Sequence, residues 1–104
     1  MPKGYVIVNV RVVDPTDYPE YARRAHDTVA QYGGRYLVRG ATPEIVEGAP
    51  RVDRFVILEF PTLAAAKTWY GSDEYRSVIT LRQRAAESDL FFIEGYSPPE
   101  ATNA

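Results

Sequence analysis

Gly33-Gly34-Arg35-Tyr36-Leu37-Val38-Arg39-Gly40, answered by Arg54-Phe55-Val56-Ile57-Leu58-Glu59-Phe60, decides the fold, because both stretches read as strands carrying charges among apolar neighbours. A buried ion that loses its partner leaves a penalty of about 3–5 kcal/mol. Arg39, Arg54 and Glu59 are therefore wet, paired with one another, or aimed at a ligand or a second subunit. Upstream, Gly4 to Val13 alternates: Val6, Val8, Val10 and Val12 point one way, Tyr5, Ile7, Asn9 and Arg11 the other, which is a strand with two differently used faces. Asp14-Pro15-Thr16 breaks the extended chain, and Asp17 followed by Glu20 has the spacing of a capping box, with Pro19 tolerated in the first helical turn. Tyr18, Ala22, Ala25, Val29 and Tyr32 then recur at steps of three and four, a stripe expected to lie on the valine face of the strand. Gly33-Gly34 ends that helix by accepting left-handed backbone angles.

Downstream, Tyr36 to Arg39 forms a second strand, and Gly40 to Asp53, with Pro43, Gly48 and Pro50, makes a long connection in which Glu44 to Glu47 is expected to continue the strand after a bulge. Loops beyond about 12 residues are uncommon in compact domains and often functional, which singles out Glu47-Gly48. Arg54 to Phe60 is the third strand; Pro61 stops it and Thr62 caps a short helix through Tyr70. Gly71 interrupts that helix and Ser72 recaps it, with Tyr75, Val78, Ile79, Arg82 and Ala86 turned inward. Leu90 to Tyr96 is the final strand, and Ser97-Pro98-Pro99 opens a flexible tail. The order predicts an α+β, ferredoxin-like βαββαβ domain over residues 1–97, with an antiparallel four-stranded sheet, a second helix broken near Gly71 and a tail over 98–104.

Right-handed crossovers put the helices on one face of that sheet. The other face then carries Tyr5, Ile7, Phe55, Ile57, Phe91 and Ile93, an apolar patch larger than a monomer usually tolerates. A second copy of the chain, packed sheet to sheet as a homodimer and closed α/β barrel, is the expected cover, with Asn9, Arg11, Arg39 and Glu59 paired inside or lining a cavity. The 104 residues suffice for one domain that folds without staples. Cys is absent, which excludes disulfides, thiolate metal sites and a cysteine nucleophile. A net charge of −2 gives no general attraction to nucleic acid or anionic lipid, and no apolar run approaches the ~18 residues of a membrane span, so a cytoplasmic protein is expected, without nucleic-acid or membrane partners.

Several constellations carry possible chemistry. His26, the single histidine, sits on the first helix at the border of the buried stripe and suits either a general base or a structural hydrogen bond. One imidazole with scattered carboxylates has no metal-ligand spacing, so no metal and no cofactor is expected. Trp69-Tyr70 and Tyr75, with Arg82 two turns beyond Tyr75, form a set that binds a planar or anionic small molecule or, alternatively, packs as core with Arg82 neutralising Glu59 or Glu94. Gly33-Gly34 follows a helix instead of opening one and is no phosphate cradle, and Ser72 is a cap, not a nucleophile. The element order also resembles the RNA-recognition motif, but Asp53-Arg54 stands where that motif favours a basic residue before Gly, Ile57 replaces a stacking aromatic, and the charge is wrong; RNA binding is kept only as a remote alternative.

Tyr21, the Gly33–Gly40 run, Glu47-Gly48, Arg54, Glu59-Phe60, Ala66, Trp69-Tyr70, Ser72, Tyr75, Arg82 and Glu94-Gly95 together give the chain a close resemblance to the small bacterial domain-of-unknown-function family numbered 1330, in the dimeric α/β-barrel superfamily. The resemblance implies a ferredoxin-like protomer and a homodimer. It brings no substrate and no catalytic residue, and fold alone leaves function open. The combined expectation is a homodimeric small-molecule-binding protein using Arg39, Glu59, Trp69, Tyr70, Tyr75 and Arg82, with His26 or Tyr21 for cofactor-independent proton transfer or oxygenation of an acidic or aromatic compound. The competing expectation is a non-catalytic structural or ligand-sensing module in which the same charges fix subunit register.

Overall fold

The computed structural model describes residues 1–98; most of the expected tail, 99–104, lies outside the described residues. Strand β1 (Gly4–Val12) leads through α1 (Tyr18–Gln31) to β2 (Arg35–Ala41), and β3 (Arg54–Phe60) through α2 (Leu63–Tyr70) and α3 (Asp73–Ala85) to β4 (Ala86–Glu94). The sheet order is β2-β3-β1-β4, with antiparallel neighbours throughout. This is the ferredoxin-like α+β fold the residue pattern predicts, including the helix broken at Gly71.

Alternation in β1 sorts the sheet into its faces. Val6, Val8 and Val10 are buried with Leu58 and Phe60 of β3 beneath Ala25 and Val29 of α1 and Trp69, Tyr75 and Val78 of the broken helix. Trp69 joins the helices: its Nε1 donates to Thr28 Oγ1 at 3.0 Å, and that hydroxyl donates to Ala25 O at 2.8 Å, so the indole is buried with its polar atom satisfied. Thr62 and Ser72 cap α2 and α3 by accepting from Ala65 N and Tyr75 N. The inward face of α1 is rotated slightly from the expected stripe: Tyr21, Ala25, Thr28 and Val29 are its buried residues, while Tyr18 and Ala22 are half-buried.

Four local expectations are corrected. Asp17 makes no side-chain cap; Asp14 Oδ1 instead accepts from Thr16 N at 2.9 Å and Asp17 N at 3.4 Å, so the turn before the helix holds the hydrogen bonds assigned to a capping box. Glu44 to Glu47 does not extend the second strand; residues 42–53 form an irregular, mostly exposed connection in which Glu47 and Gly48 are both exposed. β4 begins at Ala86, four residues early, because Ala86 already pairs with Val12 and Glu87 with Arg11, leaving no loop after α3. Arg39 does not face away from the helices: β2 is bulged between Tyr36 and Val38, and the extra residue turns Arg39 to the helical side, opposite Val56.

At the end of α1, Gly34 N donates to Val29 O and Gly33 N to Ala30 O, with Gly33 at φ +80°, a Schellman closure. A Cβ on Gly34 would lie 2.6 Å from the Phe60 ring and 2.9 Å from Val29 Cγ1. Gly34→Ala is therefore expected to lower the unfolding free energy by about 1–3 kcal/mol through overpacking, read as an earlier urea midpoint; an unchanged midpoint contradicts this close approach.

Candidate functional site

Between α1 and the helical face of the sheet lies a cavity of about 190 Å³. The sheet supplies an apolar floor of Val8, Val10, Val56, Leu58 and Leu90, because alternate residues of β1, β3 and β4 point into it. α1 supplies Tyr18 and Tyr21, one turn apart; α2 supplies Trp69; α3 supplies Tyr75 and, two turns on, Arg82. Tyr36, Arg39 and Arg54 complete the lining from β2 and β3.

The polar groups of this lining fall into two sets. On the inner side, the Tyr21 and Tyr75 hydroxyls meet at 2.8 Å, both rings buried. Burial pushes the Tyr21 phenol well above its ordinary pKa, with Tyr75 adding to the effect, and burial likewise raises Tyr75 and carries Tyr36 up to about 12. All three are neutral donors at physiological pH. Arg82 is 8% exposed, and its Nε is sealed from solvent without a hydrogen-bond partner among the described residues. Burial works against its charge, but Tyr75 and Tyr21 outweigh it and its pKa ends above the ordinary arginine value. At the rim, Arg39 and Arg54 are exposed. Arg39 sits with its guanidinium carbon 4.9 Å from the Tyr36 ring centroid, and its Nη2 donates to Ala22 O at 3.4 Å. Arg54 Nε donates to Gly40 O at 3.3 Å, passing so close that a Cβ at Gly40, itself at φ +82°, would meet it.

Among the described residues, no carboxylate and no imidazole lines the cavity. Among the described residues none of its three arginines lies within 4.0 Å of a carboxylate oxygen, whereas Arg11, Arg23, Arg35 and Arg51 all reach one. The described residues also hold no group of three or more His, Asp or Glu side chains arranged for a metal ion.

Of the residues singled out from the sequence, Tyr21, Arg39, Trp69, Tyr75 and Arg82 converge on this cavity. Glu59 does not: it lies on the opposite face of the sheet, where Arg35 Nε donates to it at 2.7 Å and Tyr5 OH at 3.1 Å, and the Arg35 bond holds its carboxyl below the usual range. Arg82 consequently neutralises neither Glu59 nor Glu94. Tyr70 packs edge-on against Phe92 and under Arg76, away from the lining. His26 stays outside, half-exposed and stacked on the Tyr36 ring at 5.4 Å, in an outer groove that shares Ala22 and Arg39 with the cavity. Tyr18 and Tyr36 are not among the sequence-derived site residues, and Arg54 is singled out there only as a charge in need of a partner, water or ligand. Arg54 alternates with Val56 and Leu58, and that period of two carries the signal for it.

The model of a family described as a domain of unknown function (DUF1330) matches residues 3–96. Among solved structures, a protein of unknown function from Rhodopseudomonas palustris is 22% identical at a TM-score of 0.71, covering 93% of this chain and 85% of its own. SnoaB, a cofactor-independent oxygenase from Streptomyces nogalater, is 11% identical at a TM-score of 0.65, with 96% and 99% covered. A dimeric ferredoxin-like protein of unknown function from Thermobifida fusca is 10% identical at a TM-score of 0.62, with 89% and 91% covered. At these identities the likeness is one of fold. No curated protein matches the chain.

The Tyr21–Tyr75 hydroxyl pair yields a direct test. Tyr21→Phe and Tyr75→Phe are each expected to cost about 1–3 kcal/mol, because each leaves a buried hydroxyl without its partner. The double variant is expected to cost less than the sum, measured by chemical denaturation; strict additivity means the two hydroxyls do not interact.

Proposed function

Because this chain belongs to the family described as a domain of unknown function (DUF1330), a membership that brings no activity with it, we propose its function from the cavity: the protein is a homodimer whose protomers each bind a compact small molecule between α1 and the sheet and stabilise negative charge on it without a cofactor. The observation that carries this reading is the convergence of four tyrosines and three arginines on one cavity to whose lining the described residues contribute no acid. Hydrogen-bond donors held in place in a site of low dielectric stabilise developing negative charge more strongly than water does, because they do not reorganise as the charge forms. About 190 Å³ is below the ~300–1,000 Å³ of drug-sized sites and suits a molecule of a few rings or fewer. The fold also houses a cofactor-independent oxygenase, SnoaB, which supports a site working through its own side chains.

A second reading, ligand binding without turnover, is favoured by one specific observation. The lining offers donors but no group that acts as a base near neutral pH, since the phenols are held protonated and His26 lies outside. Proton abstraction therefore falls to the bound compound or to a water, not to Tyr21.

Dimerisation rests on the uncovered side of the sheet. Ile7, Ile57 and Phe91 lie side by side there in register, and Phe91, Ile93 and Leu37 are 58%, 51% and 45% exposed in the single chain. The Thermobifida fusca protein of the same fold, described as dimeric, supports the same arrangement.

Light scattering at micromolar concentration is expected to give twice the chain mass, and Phe91→Asp to give a folded monomer, since that side chain is largely exposed in the protomer. A monomeric wild type overturns the dimer. A thermal-shift screen of compact metabolites is expected to find stabilisers, a ligand at 100 times its dissociation constant adding about 2.7 kcal/mol. Failure of every compound to move the transition overturns the small-molecule reading. Mass spectrometry of the stabilising compounds after incubation separates turnover from binding alone.

A further inference from the structure

Resting on the reading of the cavity as a small-molecule site, we infer that its ligand is a compact monocarboxylate, with the carboxylate against Arg82 and an apolar, planar body on the sheet floor. Arg82 is the deciding residue. A guanidinium has five N–H donors in a planar fork and no acceptor, so one that is more than nine-tenths buried requires acceptors around it. The Tyr75 hydroxyl beside it, bonded to the Tyr21 hydroxyl at 2.8 Å, serves as one acceptor for the guanidinium; Nε is sealed and has no partner among the described residues, and Arg82 forms part of the cavity wall. The acceptor that matches a guanidinium fork in shape and charge is a carboxylate, bound through two parallel N–H···O bonds.

The rest of the lining sets the remainder of the molecule. Opposite the polar side stand Val8, Val10, Val56, Leu58 and Leu90, which offer nothing to a second polar group. A small inorganic anion would satisfy Arg82 and leave this floor uncovered, whereas a monocarboxylate with a ring or short branched chain satisfies both. Arg39 and Arg54, exposed at the rim and without carboxylate partners, draw the anion inward from solvent.

Trp69, the single tryptophan, lines the cavity and reports occupancy through its fluorescence. Titrating the dimer with benzoate, benzamide and inorganic phosphate separates the alternatives. Benzoate is expected to perturb Trp69 emission and to bind at least about tenfold tighter than benzamide, the neutral molecule of the same shape, with phosphate weaker than benzoate. Arg82→Met, which keeps an apolar stem without the charge, is expected to abolish the preference for benzoate over benzamide. Arg82→Lys, which keeps the charge without the fork, is expected to weaken benzoate while preserving the preference, and it serves if the methionine variant does not fold. Equal binding of benzoate and benzamide to the wild type overturns the inference but leaves the small-molecule reading standing, as does a preference that survives Arg82→Met. Phosphate binding tighter than benzoate overturns it as well. Absence of binding by all three probes, together with no stabiliser in the metabolite screen, removes both.

Discussion

A strand alternates its side chains strictly, so one inserted residue exchanges the faces of everything beyond it. In β2 that residue is Leu37. Tyr36 stands opposite Leu58 on the helical side; after the bulge Val38 stands opposite Ile57 on the other side, and Arg39 returns to the helices opposite Val56. Without this slip Arg39 would lie on the uncovered face beside Arg35. With it, Arg39 and Tyr36 share a face and come into contact, and a second irregularity at Gly40 makes room for Arg54 to cross the strand at 3.3 Å from the Gly40 carbonyl. The rim of the cavity is a product of these two steps.

What the sequence made legible divides along the same line. Element order, the helix break, the valine face of β1 and the caps at Thr62 and Ser72 are local signals, and the structure agrees with them. Trp69, Tyr75 and Arg82 could be grouped because they lie at helical spacings on neighbouring turns, and they do share the cavity. Strand alternation alone points Arg39 to the uncovered face, although the expected ligand set groups it with Trp69, Tyr75 and Arg82; nothing in Leu37-Val38 announces the bulge that brings it to them, and that irregularity is settled by pairing with β3. The sequence puts Glu59 in the ligand-binding set, and the core-packing alternative pairs it with Arg82; in the structure Arg35 and Tyr5 claim it on the far side. The start of β4 at Ala86 was missed because no Gly or Pro separates it from α3.

The inner end of the site shows the opposite of good pairing. The fold brings Glu59 within reach of Arg35, Glu74 of Tyr32 and Glu87 of Arg11, while the buried Arg82 has no acid within reach among the described residues. An unpaired buried cation is destabilising by several kcal/mol on general grounds, so a sequence under selection for stability alone would place an apolar residue there. Its presence, next to the paired Tyr21 and Tyr75 hydroxyls, marks a region of the core where polarity is retained at the expense of packing.

The strict alternation of β1 and β3 has an evolutionary consequence. Val8 and Val56 meet the cavity, while their chain neighbours Ile7 and Ile57 emerge on the opposite side. A substitution at one set alters what the pocket admits without touching the other, and the reverse holds for contacts outside. Changes on one face of these strands can thus reshape the cavity while the other face stays as it is, along the same few residues of backbone.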